Sequence, residues 1–256
     1  MTDADAGLVV DGLTVAFGGL KAVDDASFAA ARGTITGLIG PNGAGKTTTF
    51  NACSGVHPPT AGRVLFDGRD VSGVSPQGRA RLGLGRTFQR MELFDSLTVR
   101  ENVELGHEAG LAGSSAVRQV FARSSERRET RAAAQEALAL AGIERMADRG
   151  VGALSTGERR LVELARVLAG RFTLLLLDEP SSGLDVDETR AFGDILGRVV
   201  AERGVGILLV EHDMSLVLGI CETIHVLDFG RLIFTGSAQE ARDSELVRAA
   251  YLGATV

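Results

Sequence analysis

The chain has 256 residues, of which 45% are hydrophobic and 23% charged, and its formal net charge is −6. That is enough apolar material for one large α/β domain with lobes or for two small domains. The acidic balance argues against nucleic acid as the main partner, because a phosphate backbone asks for a basic footprint.

No apolar run approaches the ~20 residues of a membrane-spanning helix. The acidic start, Met1-Thr2-Asp3-Ala4-Asp5, lacks the basic-then-apolar pattern of a signal peptide. Cys53 and Cys221 do not make a disulfide framework. The expectation is a reducing cytoplasm, with any membrane role supplied through a partner.

In chain order, residues 8–17 alternate loosely and predict a strand. Residues 35–39 predict another, which feeds a glycine-rich loop and then a helix over 47–54. Val64-Leu65-Phe66 before Asp67-Gly68 predicts a strand and tight turn, and 85–88 a short extended piece. From 98 to about 142 the pattern is helical, Ala- and Leu-rich over 132–141, with 110–115 as a candidate joint. The charges over 118–131, Arg127 and Arg128 among them, read as a solvated helix face.

Ser155 opens a predicted helix to 171. Leu174 to Leu177 is an uninterrupted apolar run, as expected of a strand covered on both faces. A helix over 186–203, strands over 206–210 and 223–227, a turn at Asp228-Phe229-Gly230 into 232–235, and a helix over 237–251 complete the chain. Buried strands alternating with helices predict an α/β fold with a mostly parallel sheet and crossover helices. The expected division is a core of 1–88 and 161–256 with a helical insertion over 89–160.

Gly40-Pro41-Asn42-Gly43-Ala44-Gly45-Lys46-Thr47 is a complete G-x-x-x-x-G-K-T between a predicted strand and helix. Glycines let backbone N–H groups approach phosphates, and the helix start adds its positive end. Lys46 would sit on the β/γ-phosphates and Thr47 on Mg²⁺, with Thr48 beside it. A chance glycine turn seldom completes all eight positions in that context.

Asp178 and Glu179 end the four-leucine run, where open α/β sheets bind ligands. Asp178 would hold Mg²⁺ through water, and Glu179 would deprotonate an attacking water. Helix-capping acids are the competing explanation, weakened by the presence of Lys46 and Thr47. Ser155 to Glu158 is at least a capping box, as are Thr98/Glu101 and Ser237/Glu240. Its hydroxyl, its Gly157 and a helix start also make an anion site.

Leu154-Ser155-Thr156-Gly157-Glu158, placed between the phosphate loop and the acidic strand, resembles the signature of the ATP-binding-cassette transporter ATPases, and the resemblance covers nearly the whole chain. It implies a P-loop fold with an antiparallel N-terminal part and an inserted helical subdomain, and ATP and Mg²⁺ as ligands. It also implies a second ATPase subunit bound head to tail, so that Ser155 and Gly157 reach the γ-phosphate held by the other copy. Gln89 matches the glutamine that reaches Mg²⁺ and senses the membrane subunit, Asp185 the loop that crosses the interface, and His212 the γ-phosphate switch.

Phe17 matches the aromatic ring stacked on adenine, and Val23 the apolar contact beneath the base. Asn42, Gly43, Ala44 and Gly45 line the cradle. Met91, Leu93 and Phe94 read equally as a groove for a membrane subunit or as core. Glu158 stands where the family usually has Gln, and is expected to fold back onto the Ser155 N–H. His57, His107 and His225 show no metal-ligand spacing.

Ala16-Phe17-Gly18-Gly19-Leu20-Lys21-Ala22-Val23 and Ala250-Tyr251-Leu252-Gly253 are similar to the branched-chain amino-acid uptake subfamily. Arg86-Thr87-Phe88-Gln89 and Glu211-His212-Asp213-Met214 share that similarity. It implies permease subunits, an extracytoplasmic solute-binding protein and a place at the cytoplasmic face of the membrane. Lipopolysaccharide-export and urea-uptake ATPases share several of these stretches. A non-transport cassette ATPase would usually carry a coiled-coil insertion or two cassettes.

Overall fold

The computed structural model describes residues 7–87, 93–111 and 124–252. Gln89, Met91 and most of the expected joint over 110–115 lie outside them.

Two sheets organise the chain. The first is antiparallel, with β1 (Leu8–Phe17), β2 (Leu20–Ala30), β4 (Ala61–Phe66) and β5 (Arg69–Asp70) in the order β2-β1-β4-β5. The second contains β3 (Ile35–Ile39), β6 (Leu84–Arg86), β7 (Leu174–Asp178), β8 (Gly206–Val210), β9 (Thr223–Asp228) and β10 (Arg231–Gly236). Its order is β10-β9-β3-β8-β7-β6, parallel throughout except for the β9–β10 hairpin.

The helices are α1 (Lys46–Ser54), α2 (Pro76–Leu82), α3 (Val99–Leu111), α4 (Ser124–Leu140), α5 (Thr156–Leu168), α6 (Val186–Arg203), α7 (Met214–Ile220), α8 (Ala238–Asp243) and α9 (Glu245–Leu252). Among the described residues no helix is long and apolar enough to cross a membrane.

The continuous apolar runs are explained by what covers each face. Leu174 and Leu176 of β7, with Leu208 and Val210 of β8, pack toward the antiparallel sheet and α1. Leu175 and Leu177, with Ile207 and Leu209, pack toward the helical layer. Each of those leucines, enclosed, contributes about 2 kcal/mol of transfer free energy. Alternation between polar and apolar residues is therefore absent because both sides are interior.

In the helical layer Val99 and Val103 of α3, Ala134, Ala137 and Leu138 of α4, and Val162 and Ala165 of α5 join one core. Arg127 and Arg128 of α4 are exposed. His225 is a structural histidine: burial pushes it below the usual imidazole range. The neutral ring donates from Nε2 to the Ala29 carbonyl (3.0 Å) and accepts at Nδ1 from the Thr235 hydroxyl (2.9 Å).

Several elements differ from expectation. β2 escapes the pattern because Lys21, Asp24 and Asp25 interrupt it, and register shifts and a positive φ of 57° at Asp25 bend the strand. α2 and α7 are only seven residues each, too short for a periodic signal. α5 stops at Leu168, because Gly170 lies against the Phe172 ring and the chain turns there toward β7. The terminal helix is two helices, since extended Ser244 interrupts the first and its hydroxyl accepts from the Val247 N–H (3.3 Å) to start the second.

Candidate active site

β3 delivers the chain into the glycine loop. At Gly40 φ is +150°, and a Cβ would lie 2.1 Å from the Leu227 carbonyl oxygen, so no side chain fits. Gly45, at φ +100°, turns the loop into α1 and offers no side-chain cap. By contrast Ser75, Ser155, Asp185, Asp213 and Ser237 each accept a first-turn N–H of the helix they precede, as does Thr98. The first N–H groups of α1 are thus left to a ligand, and they carry the positive end of the helix.

Lys46 Nζ bends over the loop and donates to the carbonyls of Gly40 (2.5 Å) and Pro41 (2.9 Å). Burial lowers its pKa, and Glu179 and Asp178 pull it back up. Asn42, Gly43 and Thr47 are exposed, Thr48 is half-buried, and Ala44 is buried with its carbonyl accepting from the Gly230 N–H (3.0 Å).

The acidic strand end meets this loop. Asp178 is 2% exposed. Burial raises its carboxyl above the usual range; Glu179 and Glu211 add to the effect, while Arg86 and Lys46 oppose it. Arg86 stands between the two elements: its guanidinium donates to Ser54 Oγ and to Asn51 Oδ1 (2.9 Å) of α1 and lies 4.8 Å over the Phe50 ring. Glu179 adopts a left-handed backbone, φ 47°, pinned by its N–H donating to the Val210 carbonyl (2.8 Å).

Glu211, which the sequence did not single out, is wholly buried. Its Oε1 accepts from the N–H (2.9 Å) and hydroxyl (2.7 Å) of Ser181, and its Oε2 from the His212 N–H (3.1 Å). One carboxylate therefore ties the loop after β7 to the loop after β8. An acid directly after the apolar run of β8 was the available signal. His212 is 59% exposed, with Nδ1 3.9 Å from Glu179 Oε1.

Phe17 is 49% exposed near the β1–β2 turn. The edge of one ring faces the other in its pairing with His57, centroids 5.5 Å apart and planes at 83°. His57 thus packs on the expected stacking ring, a contact that no spacing rule reveals. Val23 is 0% exposed in β2, paired with Val15, and belongs to the core between the sheets.

Ser155 is exposed and begins α5. Glu158 turns back as expected, Oε2 accepting from the Ser155 N–H (2.9 Å), while Oε1 accepts from Arg149 (2.6 Å). The start of α5 packs on the loop after β7: Arg160 donates to the Ser182 carbonyl (3.3 Å), and Gly157 lies against the Glu188 carboxylate. Asp185 caps α6, accepting from the N–H groups of Asp187 (2.9 Å) and Glu188 (2.8 Å). Loop, acidic strand end and His212 are brought together, and the α5 start reaches the same end of the sheet through residues 182–188.

The sequence profile of the ABC transporter family matches residues 23–182. The chain is 37% identical over 250 residues to the high-affinity branched-chain amino acid transport ATP-binding protein LivG of Salmonella typhimurium, covering 96% of this chain and 97% of that protein. It is 36% identical over 249 residues to the lipopolysaccharide export system ATP-binding protein LptB of Escherichia coli, covering 97% and 98%. Among solved structures, the ADP conformation of MJ1267, an ATP-binding cassette of an ABC transporter, superposes with a TM-score of 0.85 at 28% identity over 97% of this chain and 99% of that one. With a glycine cradle, an uncapped helix start and paired carboxylates assembled as described, the chain belongs to the ABC transporter family and is one of its ATP-hydrolysing, ATP-binding subunits.

Proposed function

We propose that the chain drives uptake of branched-chain or related amino acids through separate permease subunits, at the cytoplasmic face of the membrane. The full-length likeness to LivG carries this reading. LptB, at nearly the same identity, supports a second: an ATPase for lipopolysaccharide export. In either case two ATPase subunits would sandwich ATP head to tail, and an extracytoplasmic solute-binding protein would reach an importer only through the permeases.

Within one subunit the loop from Gly40 to Thr48 grips the phosphates, and Lys46 swings its ammonium from the two loop carbonyls to the β/γ-phosphates. Mg²⁺ fits here: Thr47 offers an exposed hydroxyl and Asp178 a carboxylate beside the cradle. Among the described residues no three His, Cys, Asp or Glu side chains converge as a cage, and Mg²⁺ takes one or two protein oxygens plus phosphates. When bound, it neutralises charge on the phosphates. Gln89, outside the described residues, is assigned to the same metal.

Glu179 orients and deprotonates water, His212 contacts the γ-phosphate, and Asp185 faces the partner subunit. Most of the rate gain comes from positioning and charge neutralisation. Phe17 presents its ring face to adenine. Accordingly Phe17→Ala should weaken ATP binding about tenfold, roughly one ring-on-base stack, and leave tripolyphosphate binding unchanged. Equal losses for both ligands would remove the stacking role.

Cargo is tested in cells. Loss of the chain should abolish uptake of labelled leucine, restored by the parent and not by Lys46→Ala. Normal leucine uptake with lipopolysaccharide missing from the cell surface would favour the export reading.

A further inference from the structure

The start of α5 carries a charge of the wrong sign for its task. A hydroxyl, a glycine and a helix start attract an anion, yet Glu158 places a carboxylate on the first turn. The Ser155 N–H and then Arg149 hold that carboxyl below the usual glutamate range, so it is ionised at neutral pH. Glu188 adds a second carboxylate against Gly157.

The neighbouring cations on α5 are engaged elsewhere: Arg159 pairs with Asp95, and Arg160 with Glu163 (3.1 Å). Arg149 comes from outside the helix on a fixed backbone. Its N–H donates to the Met146 carbonyl (2.9 Å) and its carbonyl accepts from the Val99 N–H (2.9 Å). The next residue, Gly150, bridges Thr98. The guanidinium is therefore delivered to Glu158 Oε1, at 2.6 Å, from a frame that does not depend on α5 itself.

We infer that Arg149 is a positioning residue of the site at the start of α5: it neutralises Glu158 and keeps that carboxylate folded onto its own helix, so that a triphosphate held by a second subunit meets Ser155 and Gly157 instead of a negative charge. This rests on the head-to-tail arrangement proposed above.

Four proteins set the local charge. Glu158→Gln leaves +1 on the pair and keeps the cap, since Gln serves the same box. The parent and the Arg149→Ala/Glu158→Gln double variant are neutral, and Arg149→Ala leaves −1. Steady-state phosphate release by the full chain should give KM for ATP in that order. Glu158→Gln should be lowest, parent and double variant within about twofold of each other, and Arg149→Ala roughly tenfold above the parent, with the spread shrinking at high salt. Binding of a fluorescent ATP analogue to the dilute single subunit should be the same for all four.

A structural role for Arg149 would lower Tm without nucleotide and would not be rescued by Glu158→Gln. A double variant as impaired as Arg149→Ala, or an Arg149→Ala indistinguishable from the parent, overturns the inference. Specific activity independent of chain concentration would overturn it together with the two-subunit arrangement, and is recognisable in the parent alone.

Discussion

Glu179→Gln should reduce ATP turnover by about 10²- to 10³-fold, the usual contribution of a positioned general base, while the single subunit keeps its nucleotide affinity within about twofold. The substitution is nearly isosteric, and the side chain is 28% exposed with His212 Nδ1 at 3.9 Å, beyond hydrogen-bond distance. Folding should therefore be unaffected, and the loss should fall on kcat. With the proton acceptor removed and the cradle intact, the γ-phosphate persists, and the protein should run as a dimer on size exclusion with Mg²⁺ and ATP. The parent should return to monomer as it hydrolyses. Turnover within tenfold of the parent would move the base to another group.

Lys46→Ala should cost about a hundredfold or more in ATP affinity, by calorimetry or nucleotide fluorescence. Two effects act in the same direction. The ammonium opposite the phosphates is lost, and Asp178 and Glu179 lose a neighbouring cation. Breaking one partner of a partly buried charge set is worth about 3 kcal/mol or more, which is the hundredfold expected. Lys46→Arg should not rescue it, because a planar guanidinium does not replace a compact ammonium as a point charge on the phosphates. A Kd within fivefold of the parent would mean that the helix start alone holds the phosphates.

The sequence spoke plainly where one local cause dominates. Eight loop residues declare the cradle, because left-handed turns and close approach leave only glycine at Gly40. The four leucines of β7 declare a doubly covered strand because both faces are interior. Three capping boxes were legible from a spacing of three, and all three are formed.

What stayed hidden depends on contacts between distant segments. β2 is a strand only because β1 pairs with it across bulges, against its own charges. Glu211 reads as an ordinary acid until Ser181 and His212 are seen donating to it. His57 gains meaning only when the β1–β2 turn brings Phe17 to it, and Arg149 only when the turn before α5 meets the first helical turn. The burial of Val23 was hidden too, because a matching position in a motif says nothing about which way a strand faces.

The left-handed backbone at Glu179 has a further consequence. A non-glycine residue in that conformation carries a standing penalty of about 1–2 kcal/mol, and the Val210 carbonyl and the Ser181–Glu211 brace hold it in place. If Glu179 is the base proposed above, heat tolerance and catalysis pull in opposite directions at this one position. Engineering for ruggedness would favour glycine there, relieving the fold and, under that assignment, silencing the motor in the same stroke.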